Sequence, residues 1–177
     1  MLEYSGSDLM SIGYIDSNFQ SDPISRKSTS ISVFTLNGRA IVWRSVKQSF
    51  AFFDSTMEAK YVAASEAIKE AVWLRNFLRD LEVIPNLEKS MVVYCDNSDA
   101  VSNSKEPRSH QRGKHIERKF DLIREIVECG DVTVCKIKSE DNLADPFTKT
   151  LSSRIFEGHL EGLGIRDKVV LKQVGDC

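Results

Sequence analysis

Residues 56–82, TMEAKYVAASEAIKEAVWLRNFLRDLE, place apolar side chains at Met57, Tyr61, Ala64, Ile68, Ala71, Leu74, Leu78 and Leu81, spaced by threes and fours with charges between them. That period predicts a long amphipathic helix with one face turned to a core. What flanks the helix decides the fold class. Upstream, SIGYID (11–16), STSISVFTL (28–36) and AIVWRSV (40–46) are rich in the β-branched and aromatic types that suit strands. Asp22-Pro23 marks a turn between the first two, and Asn37-Gly38 is a strong hairpin signal between the second and third. Three antiparallel strands in a meander are expected.

Downstream, Pro85 and Asn86 break the helix, and MVVYC (91–95) is a short continuous apolar run, the pattern of a strand covered on both faces. A short helical segment (98–104), a basic loop (105–114), a second amphipathic helix (116–128) and the alternating strand DVTVCKI (131–137) follow. Strand, helix, strand is a crossover unit. The chain therefore reads as α/β, a mixed five-stranded sheet of three antiparallel strands and then parallel ones, with helices on both faces. The domain is expected over 10–150, after a linker remnant at 1–9 and before a C-terminal tail at 151–177 that carries a short helix near 152–160.

At 177 residues the chain can bury a core without disulfides or a structural metal, and 41% hydrophobic with 28% charged residues excludes a disordered tract. The net charge of -2 means that nucleic acid could be bound only through a local basic surface. The N-terminus lacks a basic region followed by an apolar one, and no apolar stretch approaches the roughly 20 residues that span a bilayer, so no membrane role is expected. Cys95, Cys129, Cys135 and Cys177 form no C-x-x-C pair, and three of them lie in or beside apolar segments. Reduced thiols in an intracellular compartment, cytoplasmic or nuclear, are the expectation.

Four acids stand at element ends: Asp16 ending the first strand, Glu58 at the start of the long helix, Asp96 after MVVYC and Asp145 opening a late helical segment. Each has a local explanation. Ser55 to Glu58 forms a capping box, Asp96 can cap a helix starting at Asn97, Asp145-Pro146 is a good helix start, and Asp16 suits a strand-end turn. Together, the topology brings all four to one end of the sheet, where carboxylates repel unless something neutralises them. Oxygen-only ligands suit two Mg2+ or Mn2+ ions, which about 4 Å apart activate water and stabilise the leaving oxygen in phosphodiester hydrolysis.

The stretches YIDSNFQSD (14–22), RKSTS (26–30), FTLNGRAIVWRSVKQS (34–49), DSTMEAKYVAASEAIKEAVWLR (54–75), YCDN (94–97), KEPRSHQRGKHIERKFDLIREIVECGDV (105–132) and DNLADPFTK (141–149) resemble the ribonuclease H domain of copia-type LTR retrotransposon Pol polyproteins, in order and over about residues 2–166. The resemblance implies a ribonuclease H-like fold and endonucleolytic hydrolysis of the RNA strand of RNA–DNA hybrids with two Mg2+ or Mn2+ ions. It also implies catalytic and metal-binding roles for Asp16, Glu58, Asp96 and Asp145, and a reverse transcriptase domain as a partner. Integrases and transposases of similar fold place their glutamate last, whereas here it is second. Three positions depart from the family pattern: Ile31 stands where Gly is frequent, Asn18 where a second Asp is frequent, and Lys60 where a second acid follows the Glu58-Ala59 pair. Lys60 brings a positive charge within one helical turn of Glu58, which bears on metal affinity if the two side chains face together.

Residues 105–124 carry a local charge of +4. Beside an acid site this becomes a phosphate track, with Arg108, Arg112, Lys114 and His115 as contacts, joined by Lys47 and Gln48 from the third strand and Asn97 next to Asp96. The hybrid would be gripped by shape and by its 2′-hydroxyl groups. A zinc site from His110, His115, Cys129 and Cys135 misses the usual ligand spacing. The histidine that many ribonucleases H carry just before the last acid is missing between Lys138 and Ala144. Trp43 and Trp73 are expected in the core. The alternative of another class is a domesticated or decayed module that keeps the fold and binds nucleic acid or a protein without cleavage. The oligomeric state and cleavage preference have no sequence signal.

Overall fold

The computed structural model describes residues 10–22, 24–49, 56–82, 90–98, 101–102, 114–147 and 151–165. Strands β1 (Ser11–Asn18), β2 (Thr29–Leu36) and β3 (Arg39–Lys47) come first, then helix α1 (Thr56–Asp80) and strand β4 (Met91–Cys95). Helix α2 (Lys114–Glu128), strand β5 (Val132–Lys136), 3-10 turns at Ser139–Asp141 and Asp145–Phe147, and helix α3 (Ser153–Gly162) complete the order.

The five strands form one sheet in the order β3-β2-β1-β4-β5. β1 pairs antiparallel with β2, and β2 with β3, while β1 pairs parallel with β4, and β4 with β5. The mixed sheet expected from the sequence is thus present, with β1 at its centre. At the β2–β3 hairpin Asn37 and Gly38 both have positive φ, 50° and 74°, the backbone whose twist matches the flanking strands.

One face of the sheet presents Ile15, Phe34, Val93 and Val134 to Tyr61, Ala64, Ile68, Ala71 and Leu74 of α1 and to Ile123 of α2. The small alanines of α1 let the helix lie close to the strands. Gly13 serves the same fit, because a Cβ there would sit 2.8 Å from Phe34 Cε1. The other face holds a second cluster of Ile31, Val33, Ala144 and Leu163, and Ala40 N donates to Leu163 O at 3.0 Å. The end of α3 and the turn before Asp145 therefore close the second layer. No helix among the described residues is long and apolar enough to cross a membrane.

Several core expectations differ. Leu81 lies beyond the end of α1 and is exposed. Trp43 is 64% exposed on the edge strand β3, and Trp73 is 59% exposed on the outer side of α1. The alanine, isoleucine and leucine stripe already fills the space under α1, so Trp73 instead stacks on Phe77 one turn later, with ring centroids 5.2 Å apart. Cys95 is buried, whereas Cys129 is exposed in the turn after α2. Cys177 lies outside the described residues.

Candidate active site

The parallel register of β1 and β4 runs from Ile12 opposite Val92 to Ile15 opposite Cys95. The next residue on each strand is an aspartate, so Asp16 and Asp96 are neighbours at the same end of the two central strands. Asp16 is 4% exposed, and its position opposite Ile31 of β2 places it deep in the sheet.

Two ties bring Glu58 to this end. Gln48, just after β3, is buried and donates through Nε2 to Ser30 Oγ and to Ala59 O, both at 2.8 Å. One amide thus pins the first turn of α1 to the ends of β2 and β3. Lys60 Nζ in the same turn lies 3.2 Å from Asp96 Oδ1. Glu58, partly exposed, directly precedes these two anchors in the first turn of α1.

Asp145 arrives by a different route. Asn142 is fully buried, donates from Nδ2 to Ile15 O at 2.9 Å, and accepts at Oδ1 from Ala144 N at 3.1 Å. The residue before Asp145 is therefore held, through one amide, to the residue before Asp16. Asp145 N donates to Asn142 O at 3.0 Å, Ser139 Oγ donates to Asp145 Oδ1 at 3.3 Å, and Asp145 is 7% exposed. All four segments that carry the acids meet near the end of β4, beside Asp16, two residues before β1 ends.

The charges act on one another there. Burial pushes the Cys95 thiol up to about 11; a backbone N–H from Asn97 opposes the rise, the negative charges of Asp96 and Asp16 add to it, and the Lys60 ammonium works against it. Among the described residues, no three of His, Cys, Asp and Glu are gathered closely enough to hold a metal ion as they stand. The donor set nevertheless suits hard divalent cations in its chemistry, four carboxylates delivered from four segments to one end. In the arrangement found, the cation beside Asp96 is the Lys60 ammonium.

The expected nucleic-acid contacts meet different fates. Lys47 is ion-paired with Asp22. Gln48 is inside the protein, so its contribution near the site is architectural. Asn97 directly follows Asp96, and its carbonyl accepts from Val101 N at 3.1 Å as a helical turn begins. Lys114 and His115 open α2, while Arg108, Arg112 and His110 lie outside the described residues. Asn142 had no distinct signal beyond its place three residues before Asp145, where a polar turn residue is unremarked.

No family model matches the chain. The chain is 40% identical over 154 residues to the retrovirus-related Pol polyprotein of transposon TNT 1-94 from Nicotiana tabacum, a match covering 87% of this chain and 11% of the relative. It is 31% identical over 160 residues to that of transposon RE1 from Arabidopsis thaliana, covering 90% of this chain and 11% of the relative. The chain thus spans about a tenth of the length of these curated relatives. Among solved structures it resembles LC11-RNase H1, isolated from compost by a metagenomic approach, with a TM-score of 0.57 at 19% identity over 77% of this chain and 91% of that one. A second structure of LC11-RNase H1, in complex with RNA/DNA hybrid, matches with a TM-score of 0.53 at 16% identity over 75% of this chain and 88% of that one. The sheet order and these comparisons agree: the chain is homologous to one segment of copia-type retrotransposon Pol polyproteins, and its fold is ribonuclease H-like.

Proposed function

We propose that the chain is a metal-dependent endoribonuclease that hydrolyses the RNA strand of RNA–DNA hybrids, leaving 3′-hydroxyl and 5′-phosphate ends. The observation that carries this reading is that Asp16 and Asp96 directly follow the last paired residues of the parallel strands β1 and β4, with the segments bearing Glu58 and Asp145 tied to the same place. Hybrid as the substrate draws support from the LC11-RNase H1 neighbour, which was solved with RNA/DNA hybrid. Asp16, Glu58, Asp96 and Asp145 would hold two Mg2+ or Mn2+ ions. When bound, such ions supply Lewis acidity that activates water and stabilises the leaving oxygen.

The rest is done by the chain itself. Burial of Asp16 and Asp145 keeps their carboxylates from drifting into bulk water, and the Asn142 amide fixes the spacing between their two segments. Lys47, Asn97, Arg108, Arg112, Lys114 and His115 would contact the backbone phosphates of the hybrid. Lys47 would do so by exchanging Asp22 for a phosphate. Within a longer polyprotein, a reverse transcriptase domain would present the hybrid. The ion pair between Lys60 and Asp96 favours one competing reading, a module that binds the hybrid without cutting it.

The test is incubation of the purified chain and its Asp96→Asn variant with labelled RNA–DNA hybrid, single-stranded RNA and duplex DNA, in Mg2+ and in Mn2+. Cutting selective for the hybrid and lost in Asp96→Asn is the expected result. Tight hybrid binding with no cutting in either metal would replace the enzyme by the binding module.

A further inference from the structure

Two carboxylates at neighbouring strand ends need a compensating positive charge. In this chain the charge comes from Lys60, two residues after Glu58 on the first turns of α1, reaching Asp96 from 36 positions away in sequence. Both side chains are largely withdrawn from water, 23% and 13% exposed, so the pair is screened less than a surface one. The backbone from which Lys60 springs is fixed, because Ala59 O is held by Gln48. The lysine stem above it is flexible and its ammonium is a compact point charge, able to withdraw without moving the helix.

We propose that Lys60 is a built-in counter-ion of the acid site, holding Asp96 in the metal-free protein and giving up that place when a hard divalent cation enters. The inference rests on the reading of Asp16, Glu58, Asp96 and Asp145 as metal ligands and adds a control to it. Metal entry must break the ion pair and then tolerate a nearby ammonium, so the site fills only at higher divalent-cation concentration than the four acids alone would need. The same lysine supports the empty site, because it offsets the repulsion between Asp16 and Asp96. Removing its charge therefore has two opposite effects: tighter metal binding and a less stable metal-free protein. A purely structural lysine would give only the second.

The experiment titrates Mn2+ and Mg2+ into the full chain by calorimetry and by thermal melting, without nucleic acid, in wild type, Lys60→Gln, Lys60→Met, Lys60→Arg and Asp96→Asn. Lys60→Gln and Lys60→Met, which keeps the volume of the stem, are expected to bind metal about tenfold tighter, ~1.4 kcal/mol. Their metal-free melting temperatures should fall by about 2–4 °C. Lys60→Arg should behave as wild type, and Asp96→Asn should lose affinity. Equal or weaker metal binding in both neutral variants, with wild-type binding intact, overturns the counter-ion and leaves the metal site standing. Absence of metal binding in every form overturns both.

Discussion

Replacing Asn142 by alanine removes two hydrogen bonds from a side chain with no exposed surface, one at 2.9 Å to Ile15 O and one at 3.1 Å from Ala144 N. The Ala144 N–H is left without that acceptor in a buried place, a loss worth about 1–3 kcal/mol. The Ile15 carbonyl keeps a second lone pair, so its loss is smaller, about 0.5–1.5 kcal/mol. The expected sum is about 2–4 kcal/mol, and for a chain of this size that lowers the melting temperature by roughly 4–16 °C. The same cut frees the turn bearing Asp145 from the end of β1, so hybrid cleavage should fall even at temperatures where the variant is fully folded. Asn142→Asp separates the two effects. It keeps an acceptor for Ala144 and so recovers part of the stability, but it loses the donor to Ile15 and adds negative charge next to Asp145, so activity stays low. Circular dichroism melts paired with cleavage assays about 15 °C below each variant's melting point, where about 4–7 kcal/mol of stability remains, make the comparison. An Asn142→Ala protein that melts within about 2 °C of wild type and cuts at the same rate would refute the latch.

Other substitutions probe the surroundings of the site. Gly13→Ala forces a methyl to 2.8 Å from Phe34 Cε1 and 3.2 Å from Val93 Cγ2, and overpacking of this kind is expected to cost about 1–3 kcal/mol in urea unfolding; a neutral result would mean that the Phe34 ring moves aside freely. Gln48→Ala unties Ala59 from Ser30, so amide exchange in the first turns of α1 should quicken while the middle of the helix, around Ile68, stays protected. Unchanged exchange at both places would show that other contacts hold the helix start. The Cys95 thiol lies at about 11 in the folded protein against an ordinary 9.0, so the folded state holds this proton more tightly. Its contribution to stability is whole below the ordinary value and is lost as pH rises through the raised one. Cys95→Ala should therefore flatten the alkaline fall of the stability curve above about pH 9, and an unchanged alkaline limb would refute the assignment.

What the sequence made legible was local. The 3.6-residue period of α1 and the Asn37-Gly38 hairpin each depend on a few consecutive residues, and both are found as expected. Glu58, Asp96 and Asp145 were legible as a group because each stands at an element end, and Asp16 because SIGYID reads as a strand that stops there, whereas β1 runs two residues further, to Asn18. Gln48 and Asn142 were not, since a polar residue in a loop or at a strand end ranks as surface until the tertiary fold closes over it. Both are buried here because their amides join segments distant in sequence. Lys60 was visible as a departure, but its partner Asp96 lies on another element, and only the packing of α1 beside β4 reveals it. The tryptophans misled for the opposite reason. Large aromatic rings suit cores in general, yet the alanine-rich stripe of α1 leaves no room for an indole beneath it.

Trp43 and Trp73 are the chain's two tryptophans, and both face water in the folded state. Indole emission is accordingly expected to be red-shifted before any denaturant is added, and to change little on global unfolding. An optical signal that is nearly silent on folding becomes selective for contact. Whatever settles on the Trp73–Phe77 stack and excludes solvent from it will move the emission to the blue while the circular dichroism stays constant, so the outer side of α1 carries its own reporter.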